Sequence, residues 1–520
     1  MLKLAPGRRA ARPHESRFRS HAHILIIVQN LPVPLDRRVW LECQALRDAG
    51  YAVSVICPKG PGDPSFDVID DVRIHKYRPA PQVDGAKGFL LEFVYSWLRT
   101  AWLSWTIWRD RPFDVIQACN PPDTYWALAK LWKSRGVGFV FDQHDLNPEL
   151  YLSRFGQPKT SNGKLQYWGL RWLEQMTYRT ADRVISTNES YRSVAIRRGR
   201  RWAEDVVVVR SGPDTRRMRP VAPAEPVEPG RPQSLVYLGI MGPQDGVDVV
   251  LDVMDELVHR RGRTTVRATL MGFGDCFDEL RSRATELGLD DVVTFTGRAD
   301  LEMIAEHLSA ADVGLCPDLK SPLNDVSTMN KTMEYMAYAL PSVAFDLTET
   351  RVSGGDTVLY VPSGDVQAFA DEVERLLDDD TLRRRLGDAA RKRVVEHLDW
   401  RTQVPGYVGV FDGLTGRVGR VAVPESAKDP ARAASGGEAD VSERATLLDE
   451  GALRETTALL GTGDVFDTAS LLGTAAQLDK PARVEQSELV DEAVDRGGRR
   501  HLQLGASQGP DDSALQRSSA

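Results

Sequence analysis

The chain has 520 residues, of which 42% are hydrophobic and 27% are charged, and its formal net charge is −8. This length is sufficient for two or three domains with large cores. The acidic balance argues against general nucleic-acid binding, so no nucleic-acid partner is expected. The five cysteines contain no C-x-x-C pair. They therefore give little support to a zinc site or a disulfide framework, and they indicate a reducing cytoplasm.

Residues 1–22 are basic and contain no apolar core. We interpret them as a flexible arm rather than a signal peptide. The predicted first domain, residues 23–213, opens with a continuous apolar run, a polar loop, a helix and a second apolar strand, the order of a parallel-sheet unit. No G-x-G-x-x-G follows the first strand, so the NAD-type fingerprint is absent. Arg37 and Arg38 open the helix, where they either meet an anionic group or are solvated arginines.

Residues 88–109 contain four tryptophans but are interrupted by Glu92 and Arg99. The segment is therefore too polar for a transmembrane span. It is either a core helix packed on the first sheet or a helix that lies in a membrane interface, where aromatic residues and a flanking arginine are favourable. The second interpretation predicts a cytoplasmic protein held at the inner face of a membrane.

A later strand of the first domain ends in Asp142-Gln143-His144-Asp145. Ligand sites in open parallel sheets form beyond the carboxyl ends of strands. His144 and Asp145 are therefore candidates for the mouth of a site, and the alternative is a histidine that caps a turn. Residues 214–233 are rich in Pro and Glu, which predicts an interdomain linker.

The predicted second domain, residues 234–398, repeats the strand–helix pattern. Its first loop, Gly239–Gly246, lies between a strand and a helix. Glycines in this position bring backbone N–H groups close to a phosphate. Further loops with glycine follow the next two strands, at Gly272-Phe273-Gly274 and at Gly297-Arg298.

Residues Asn324–Asp346 predict a loop, a helix from Asn330, a stop at Pro341 and a buried strand. Lys331 and Glu334 lie in the first turns of the helix, an end that favours anions. Lys331 can add charge for a phosphate, and Glu334 can accept hydrogen bonds from two vicinal hydroxyls. The alternative is an amphipathic helix with a surface Lys–Glu pair.

The pattern Asn330-Lys331-x-x-Glu334-Tyr335-Met336-Ala337, followed by Pro341-x-Val343, resembles the donor-binding helix of the family-4 retaining glycosyltransferases (glycosyl transferases group 1). The resemblance extends over about residues 23–415 and implies an α/β protein of the GT-B fold, with two Rossmann-like parallel-sheet domains facing a cleft. It also implies that residues 399–423 form a helix that crosses back to the first domain. Glu334 matches the ribose-binding Glu that ends a Glu-x7-Glu motif. The first Glu is replaced by Val326, with Asp325 beside it.

The family implies transfer of a sugar from a UDP- or GDP-sugar to a glycan or lipid-linked acceptor with retention of configuration, in surface polysaccharide or glycoconjugate synthesis. The nucleotide sugar is a co-substrate, and no other cofactor and no metal is expected, because no D-x-D loop lies at a cleft. His144 and Asp145 would position the acceptor or sugar, and Lys331 would stabilise the departing diphosphate. Arg37 and Arg38 are acceptor-side candidates. The donor-binding candidates are Gly239, Gly242, Gln244, Gly272, Gly274, Gly297, Arg298, Asp325, Asn330 and Glu334.

Two departures from the family pattern keep alternative functions open: Val326 in the Glu-x7-Glu motif and the composition of the Gly239 loop. Relatives carry Arg and Lys in the Gly239 loop, which has neither here, so Lys331 would carry more of the charge. One alternative is a non-hydrolysing sugar-nucleotide 2-epimerase, which needs several cleft carboxylates. The other is a catalytically inactive scaffold acting through residues 424–520. That acidic tail is predicted to be disordered, and its weak 12-residue repeat is either a docking motif for a protein partner or a chance duplication.

Overall fold

The computed structural model describes residues 22–80, 86–221 and 231–416, with the backbone alone for 86–91. Nearly all of the predicted arm 1–22 and much of the linker 214–233 lie outside the described residues. So do the end of the segment 399–423 and the whole tail 424–520 with its repeat.

The first sheet has the strand order β3-β4-β2-β1-β5-β6-β7-β8, and among its described strands only β3 runs antiparallel to its neighbour. Each residue of its central strand is buried, which is the pattern of a parallel strand covered on both faces. The strands are β1 (His23–Ile27), β2 (Ala52–Pro58), β3 (Phe66–Ile69), β4 (Val72–Tyr77), β5 (Val115–Cys119), β6 (Gly138–Gln143), β7 (Arg183–Ser186) and β8 (Val206–Val208).

Helices cover both faces of this sheet. The helices are α1 (Arg37–Asp48), α2 (Ala86–Asp110), α3 (Trp126–Lys133), α4 (Asn147–Phe155), α5 (Ser161–Thr180) and α6 (Glu189–Arg197). Leu103 of α2, Leu128 of α3 and Tyr178 of α5 share one apolar cluster against the sheet. The other face packs against α1. None of the described helices combines the length and apolarity that a membrane crossing requires.

The second sheet is parallel throughout its described strands, in the order β11-β10-β9-β12-β13-β14. Its strands are β9 (Gln233–Ile240), β10 (Val266–Phe273), β11 (Val293–Gly297), β12 (Val313–Cys316), β13 (Ser342–Phe345) and β14 (Leu359–Val361). Its helices are α7 (Val247–Asp255), α8 (Phe277–Glu286), α9 (Leu301–Ala310), α10 (Asn330–Ala337), α11 (Thr348–Gly354), α12 (Val366–Asp378) and α13 (Asp380–Arg393).

The last described helix, α14 (Trp400–Thr415), packs on the first sheet rather than the second. Tyr407 and Phe411 are buried there, and the Tyr407 hydroxyl donates a hydrogen bond to Gln117 Oε1 of β5 at 2.7 Å. The predicted fold class, an α/β protein with two Rossmann-like parallel-sheet domains, is thereby confirmed.

The α10–β13 unit forms at the predicted place but is more deeply buried than an amphipathic helix. Every residue from Lys331 to Ala337 is buried, and only Asn330 at the first position is exposed. The helix ends where Ala339 adopts a left-handed backbone (φ 55°), and Pro341 cannot continue it. Because α10 is enclosed, the polar side chains of its first turns must find partners inside the protein or in a ligand.

Candidate functional site

Lys331 is the central charged group of the second domain's site. Its Nζ lies 2.5 Å from Asp318 Oδ1 and 5.3 Å from the ring centroid of Tyr237. Burial lowers the pKa of the ammonium, but the carboxylates of Asp318 and Asp245 outweigh this effect and hold that pKa above its usual value. The other carboxylate oxygen of Asp318, Oδ2, is buried without a hydrogen-bond partner among the described residues. The Lys331 ammonium is therefore charged, and the Asp318 carboxylate holds it in place.

Glu334 lies one turn further along α10 and contacts the first domain. Its Oε1 lies 3.0 Å from Arg37 Nη2, with the Arg37 side chain about half exposed and that of Glu334 mostly buried. The carboxylate predicted to bind ribose hydroxyls is thus paired with an arginine predicted to lie on the acceptor side. The proposed roles of both residues stay predictions, and the structure brings them into one ion pair.

The Gly239 loop contains its own acid. The Gly242 N–H donates to Asp245 Oδ2 at 2.9 Å, so an amide expected to face a phosphate already has a carboxylate partner. Burial raises the pKa of Asp245 to about 6, an effect that the Lys331 charge opposes. Gln244 contributes its backbone carbonyl to Asn324 at 2.8 Å, and its side-chain Oε1 is buried with no partner among the described residues.

Two of the remaining glycine candidates, Gly272 and Gly274, allow close backbone contact at the carboxyl ends of β9 and β10. A Cβ on Gly272 would lie 1.9 Å from the Gly239 carbonyl oxygen, and one on Gly274 would lie 2.6 Å from that of Met241. Gly297 has a φ of 69°, a conformation that favours glycine. Next to it, the Arg298 guanidinium lies 4.5 Å from the Phe273 ring centroid. These residues shape the backbone of the site.

Asp325 and Val326, where the chain departs from the Glu-x7-Glu motif, have structural partners. Asp325 Oδ1 accepts the Thr348 N–H at 2.9 Å and lies 3.3 Å from Lys320 Nζ. The carboxylate therefore caps the start of α11, and its predicted contact with the donor stays a prediction.

Val326 packs against a small apolar cluster that spans the two domains, formed by Leu146, Leu150, Tyr191 and Leu323. Its carbonyl accepts a hydrogen bond from Asn188 Nδ2 at 2.9 Å. Position 326 thus joins the domains, a role that an apolar side chain fills better than a carboxylate.

In the first domain, His144 belongs to a buried charge network. Its Nε2 lies 2.8 Å from Asp142 Oδ2 and 3.1 Å from Arg38 Nε. Arg38 also contacts Asp142 at 3.1 Å and Glu42 at 3.0 Å. Arg38 therefore lies inside the protein and fixes the His144 ring, whereas its predicted contact with an acceptor stays a prediction.

The two carboxylates of this network share an amide. Gln117 Nε2 donates to Glu42 Oε2 at 2.7 Å and to Asp142 Oδ2 at 2.8 Å. Burial and the neighbouring Asp142 raise the pKa of Glu42 to about 8. Burial opposes ionisation of Asp142 too, but the His144 and Arg38 charges hold its pKa below the usual range. At neutral pH Glu42 therefore keeps its proton while Asp142 is ionised.

These groups also have the composition of a metal site. Ligand atoms of Glu42, Cys119, Asp142 and His144 lie within 4.8 Å of one another. However, the Arg38 guanidinium already contacts three of the four residues, and a metal cation would be repelled by it. The cluster fits a charge network better than a metal centre.

Asp145 follows His144 at the end of β6 and is held through its backbone. Its N–H donates to Asn120 Oδ1 at 3.1 Å, and burial raises the pKa of its carboxyl group. The side chain is partly exposed, so it remains a candidate for contact with a sugar or an acceptor.

Three residues of the site were not predicted from the sequence. Asp318 pairs with Lys331, and Asp245 accepts the Gly242 N–H in the Gly239 loop. The absence of Arg and Lys from that loop was a signal in the sequence. Arg154 in the last turn of α4 reaches the second domain, with Nη2 3.4 Å from Asp275 Oδ2. No local pattern marks Arg154, because its partner is 121 residues away.

Two parallel-sheet domains, with glycine loops and a charged helix start at the strand ends of the second, define the GT-B class of proteins. Residues 35–212 match the family model described as glycosyl transferase 4-like domain, and residues 232–379 match the model described as glycosyl transferases group 1. The chain belongs to the group 1 glycosyltransferases, a family of transferase enzymes.

Individual relatives match over different shares of their length. The chain is 31% identical to the alpha-D-kanosaminyltransferase of Streptomyces kanamyceticus, over 30% of this chain and 39% of that protein. It is 29% identical to the alpha-maltose-1-phosphate synthase of Mycobacterium tuberculosis, over 51% and 70%. It is 25% identical to the phosphatidyl-myo-inositol mannosyltransferase of Mycolicibacterium smegmatis, over 74% and 92%. Because the first match spans less than half of its relative, donor and acceptor are not inferred from it.

Solved structures show the same architecture. Sucrose-phosphate synthase from Thermosynechococcus elongatus superposes with a TM-score of 0.60 at 20% identity, covering 76% of this chain and all (100%) of that one. The Anabaena protein HepE in complex with UDP-glucose superposes with a TM-score of 0.55 at 17% identity, with the same coverage of 76% and 100%. At these identities the likeness establishes the fold alone.

Proposed function

We propose that the protein transfers a sugar from a nucleoside-diphosphate sugar to a hydroxyl of a glycan or lipid-linked acceptor, with retention of configuration. The observation that carries this proposal is the start of α10. Lys331 is held there as a buried cation, one turn from Glu334 and beside the Gly239 loop. In a group 1 glycosyltransferase this combination suits a ligand that has both phosphates and vicinal hydroxyls.

These contacts support a position for the donor. The diphosphate would lie near Lys331 and the helix start, where dipole and charge favour an anion. The ribose hydroxyls would bind Glu334 and displace or share its contact with Arg37, and the base would lie at Gly297-Arg298. The Anabaena structure contains UDP-glucose, which makes UDP-sugars the first donors to test, followed by GDP-sugars.

The chemistry requires stabilisation of a leaving group. The bond between the anomeric carbon and the diphosphate oxygen breaks, the acceptor oxygen forms a new bond on the same face, and the acceptor proton passes to the departing diphosphate. Negative charge grows on that diphosphate, where the Lys331 ammonium stabilises it in a water-poor site. His144, held by Asp142, and Asp145 would orient the sugar or the acceptor. No metal takes part in these steps.

Donor binding is tested by thermal shift of the full chain with UDP-, GDP- and ADP-sugars. We expect one nucleotide class to stabilise the protein, and we expect Glu334→Ala to lose this effect because the ribose contact is removed. Glu306→Ala, an exposed acid on α9, is the matched control and should behave as wild type. No stabilisation by any of the three classes would contradict the proposal and favour an inactive scaffold. Retention is tested separately by NMR of the anomeric proton of the product.

A lipid-linked acceptor is favoured by one surface of the first domain, which we call the tryptophan face. Ring contacts join its helices: Trp105 of α2 stacks on Trp132 of α3, with ring centroids 6.2 Å apart, and Trp126 of α3 contacts Trp172 of α5 at 5.7 Å. The face is formed by the exposed side chains Val94, Leu98, Trp102, Trp105, Leu131, Leu165, Trp168 and Trp172.

The charges on this face suit anionic headgroups. The Arg99 guanidinium lies 5.0 Å from the Trp102 ring centroid, and that of Arg135 lies 5.5 Å from the Trp105 ring centroid. Along α3 and α5 the single acid is Glu174, which is buried and paired with Arg198. Exposed aromatics with interspersed cations favour the interface of an anionic bilayer. We therefore propose that the enzyme binds peripherally to the inner face of a membrane.

Co-sedimentation with vesicles tests this location. The full chain should pellet with vesicles of phosphatidylcholine and phosphatidylglycerol more than with phosphatidylcholine alone. The double variant W102Q/W168Q should lose about tenfold in affinity, since two exposed aromatic side chains are removed from the interface. Trp202→Gln removes an exposed tryptophan outside the three helices and should bind as wild type. Equal binding by W102Q/W168Q, or a dimer contact through the same face, would contradict the proposal.

A further inference from the structure

The second domain lacks positive charge at the site proposed for the diphosphate. Lys331 is acted on by two carboxylates, those of Asp318 and Asp245, so the acids outnumber the ammonium. A diphosphate brings further negative charge, and like charges in a partly desolvated site repel strongly. The Gly242 amide does not compensate, because Asp245 already accepts its hydrogen. A cation from the first domain would supply the missing charge.

Arg154 of the first domain is in position to supply it. This residue lies in the last turn of α4, and its Nη2 is 3.4 Å from the Oδ2 of Asp275, which follows Gly274 directly. Burial raises the pKa of Asp245 in the Gly239 loop, and the charge of Arg154 is close enough to oppose this effect. Arg154 therefore faces two of the glycine loops predicted to contact the donor.

The contacts of Arg154 leave part of its hydrogen-bonding capacity unused. Its side chain is only 12% exposed, yet its Nε is buried without a partner among the described residues. Buried guanidinium N–H groups are normally paired. The contact with Asp275, whose side chain is 51% exposed, is a surface ion pair of the kind that contributes little. Arg154 can therefore change partners at small cost.

We infer that Arg154 binds the donor diphosphate from the opposite side of the cleft and supplies the cation that the Gly239 loop lacks. The inference rests on the proposed function. A guanidinium suits this role because its planar fork matches phosphate oxygens in a bidentate contact. Donor binding then requires the two domains to be in contact, as they are at Asn188 and Val326.

A purely structural role for Arg154 makes a different prediction. If its only task were the ion pair with Asp275, then Asp275→Ala and Arg154→Gln would have the same effect on nucleotide binding. If Arg154 binds the diphosphate, the two variants diverge, because Asp275→Ala removes a competing anion. Asp275→Ala should then bind the nucleotide as tightly as wild type or more tightly.

Calorimetric titration of the full chain with UDP, GDP and ADP, and with uridine, guanosine and adenosine, separates phosphate contacts from base contacts. For the nucleotide that binds wild type, Arg154→Gln should weaken binding at least about tenfold, the effect of losing one charged hydrogen bond. Binding of the matching nucleoside should not change, and Arg154→Lys should recover part of the loss. Arg197→Gln, an exposed arginine on α6, is the control and should bind as wild type.

The outcomes distinguish this inference from the proposed function. If no nucleotide binds wild type, the proposed function fails and the inference fails with it. If the nucleotide binds wild type and Arg154→Gln equally, the inference alone is overturned. It is also overturned if Arg154→Gln weakens nucleoside and nucleotide alike, or if Asp275→Ala reproduces the loss.

Discussion

The two domains bury charge in different ways. In the first, the Arg38 guanidinium contacts one protonated and one ionised acid, Glu42 and Asp142. Asp142 also contacts His144, and Gln117 donates hydrogen bonds to both acids. In the second, a single ammonium faces two carboxylates. There Asp318 Oδ2 and Gln244 Oε1 are both buried without partners in the described protein.

Buried polar groups without partners cost free energy. Such atoms occur in both domains, and Glu42 Oε1 of the Arg38–His144 network is one of them. The two sites differ instead in their balance of charge. In the first domain Arg38 contacts Asp142 and fixes the orientation of the His144 ring. At the Lys331 site the carboxylates outnumber the cation, which supports a role for a further cation in binding a diphosphate.

The largest effect should come from Lys331. We expect Lys331→Gln to lower the rate of sugar transfer about 10²- to 10³-fold, the usual effect of removing one group that stabilises transition-state charge. It should also destabilise the fold by about 3–5 kcal/mol, because Asp318 is left as an unpaired buried charge. Transfer assays and urea unfolding measure the two effects.

A double variant separates these effects. K331Q/D318N removes both charges, so stability should recover while transfer stays low. Recovery of activity together with stability would show that Lys331 acts only in folding, and the site would then resemble the network of the first domain.

In the network of the first domain, replacing Asp142 and replacing Glu42 should have different effects on stability. Asp142→Asn removes the anion between Arg38 and His144 and should cost about 3 kcal/mol in free energy of unfolding. It should also lower the pKa of His144, which the Asp142 carboxylate holds above its usual value against the effect of burial. Urea unfolding and NMR titration of the histidine provide the two measurements.

Glu42→Gln is the counterpart of that change. The pKa of Glu42 rises from 4.5 to about 8 in the folded protein, so the folded state holds a proton that the unfolded state releases. The contribution of Glu42 to stability therefore falls as pH rises from about 4.5 towards 8. Glu42→Gln imitates the protonated group, so it should change little at low pH and flatten this pH dependence. Equal damage from both substitutions at neutral pH would contradict the assignment of the proton to Glu42.

The sequence predicted what is local. The α10–β13 unit could be predicted because a helical apolar stripe, Pro341 and the Lys331–Glu334 spacing all lie within one short segment. The same holds for most strands of both sheets and for the glycine loops, since each has a signature within a few residues. The strands β3 and β4 were not predicted. These features place the site at the carboxyl ends of the strands.

The charge pairs that complete the site could not be predicted in this way. Arg154 and Asp275 are separated by 121 residues, and Arg38 and Asp142 by 104. Their contacts depend on how helices and strands pack, which no periodicity encodes. The burial of α10 on all sides, including Lys331, was not predicted for a related reason. An amphipathic stripe indicates one buried face, but it does not show that the later helices α11 and α13 also pack against α10.

The smallest effect, and the sharpest test of the comparison, concerns Asp245. Its pKa, raised to about 6 by burial, should rise further when a diphosphate binds nearby, so binding should take up a proton. Nucleotide affinity of wild type should therefore increase as pH falls through the range just above 6. A rise of one pKa unit limits this gain to about tenfold. Asp245→Asn should bind more tightly than wild type at pH 8 and lose the pH dependence, which calorimetry in buffers of different ionisation enthalpy would show. If Asp245→Asn instead binds the nucleotide more weakly, the Asp245 carboxylate itself contacts the nucleotide. The second domain then lacks positive charge no more than the first does.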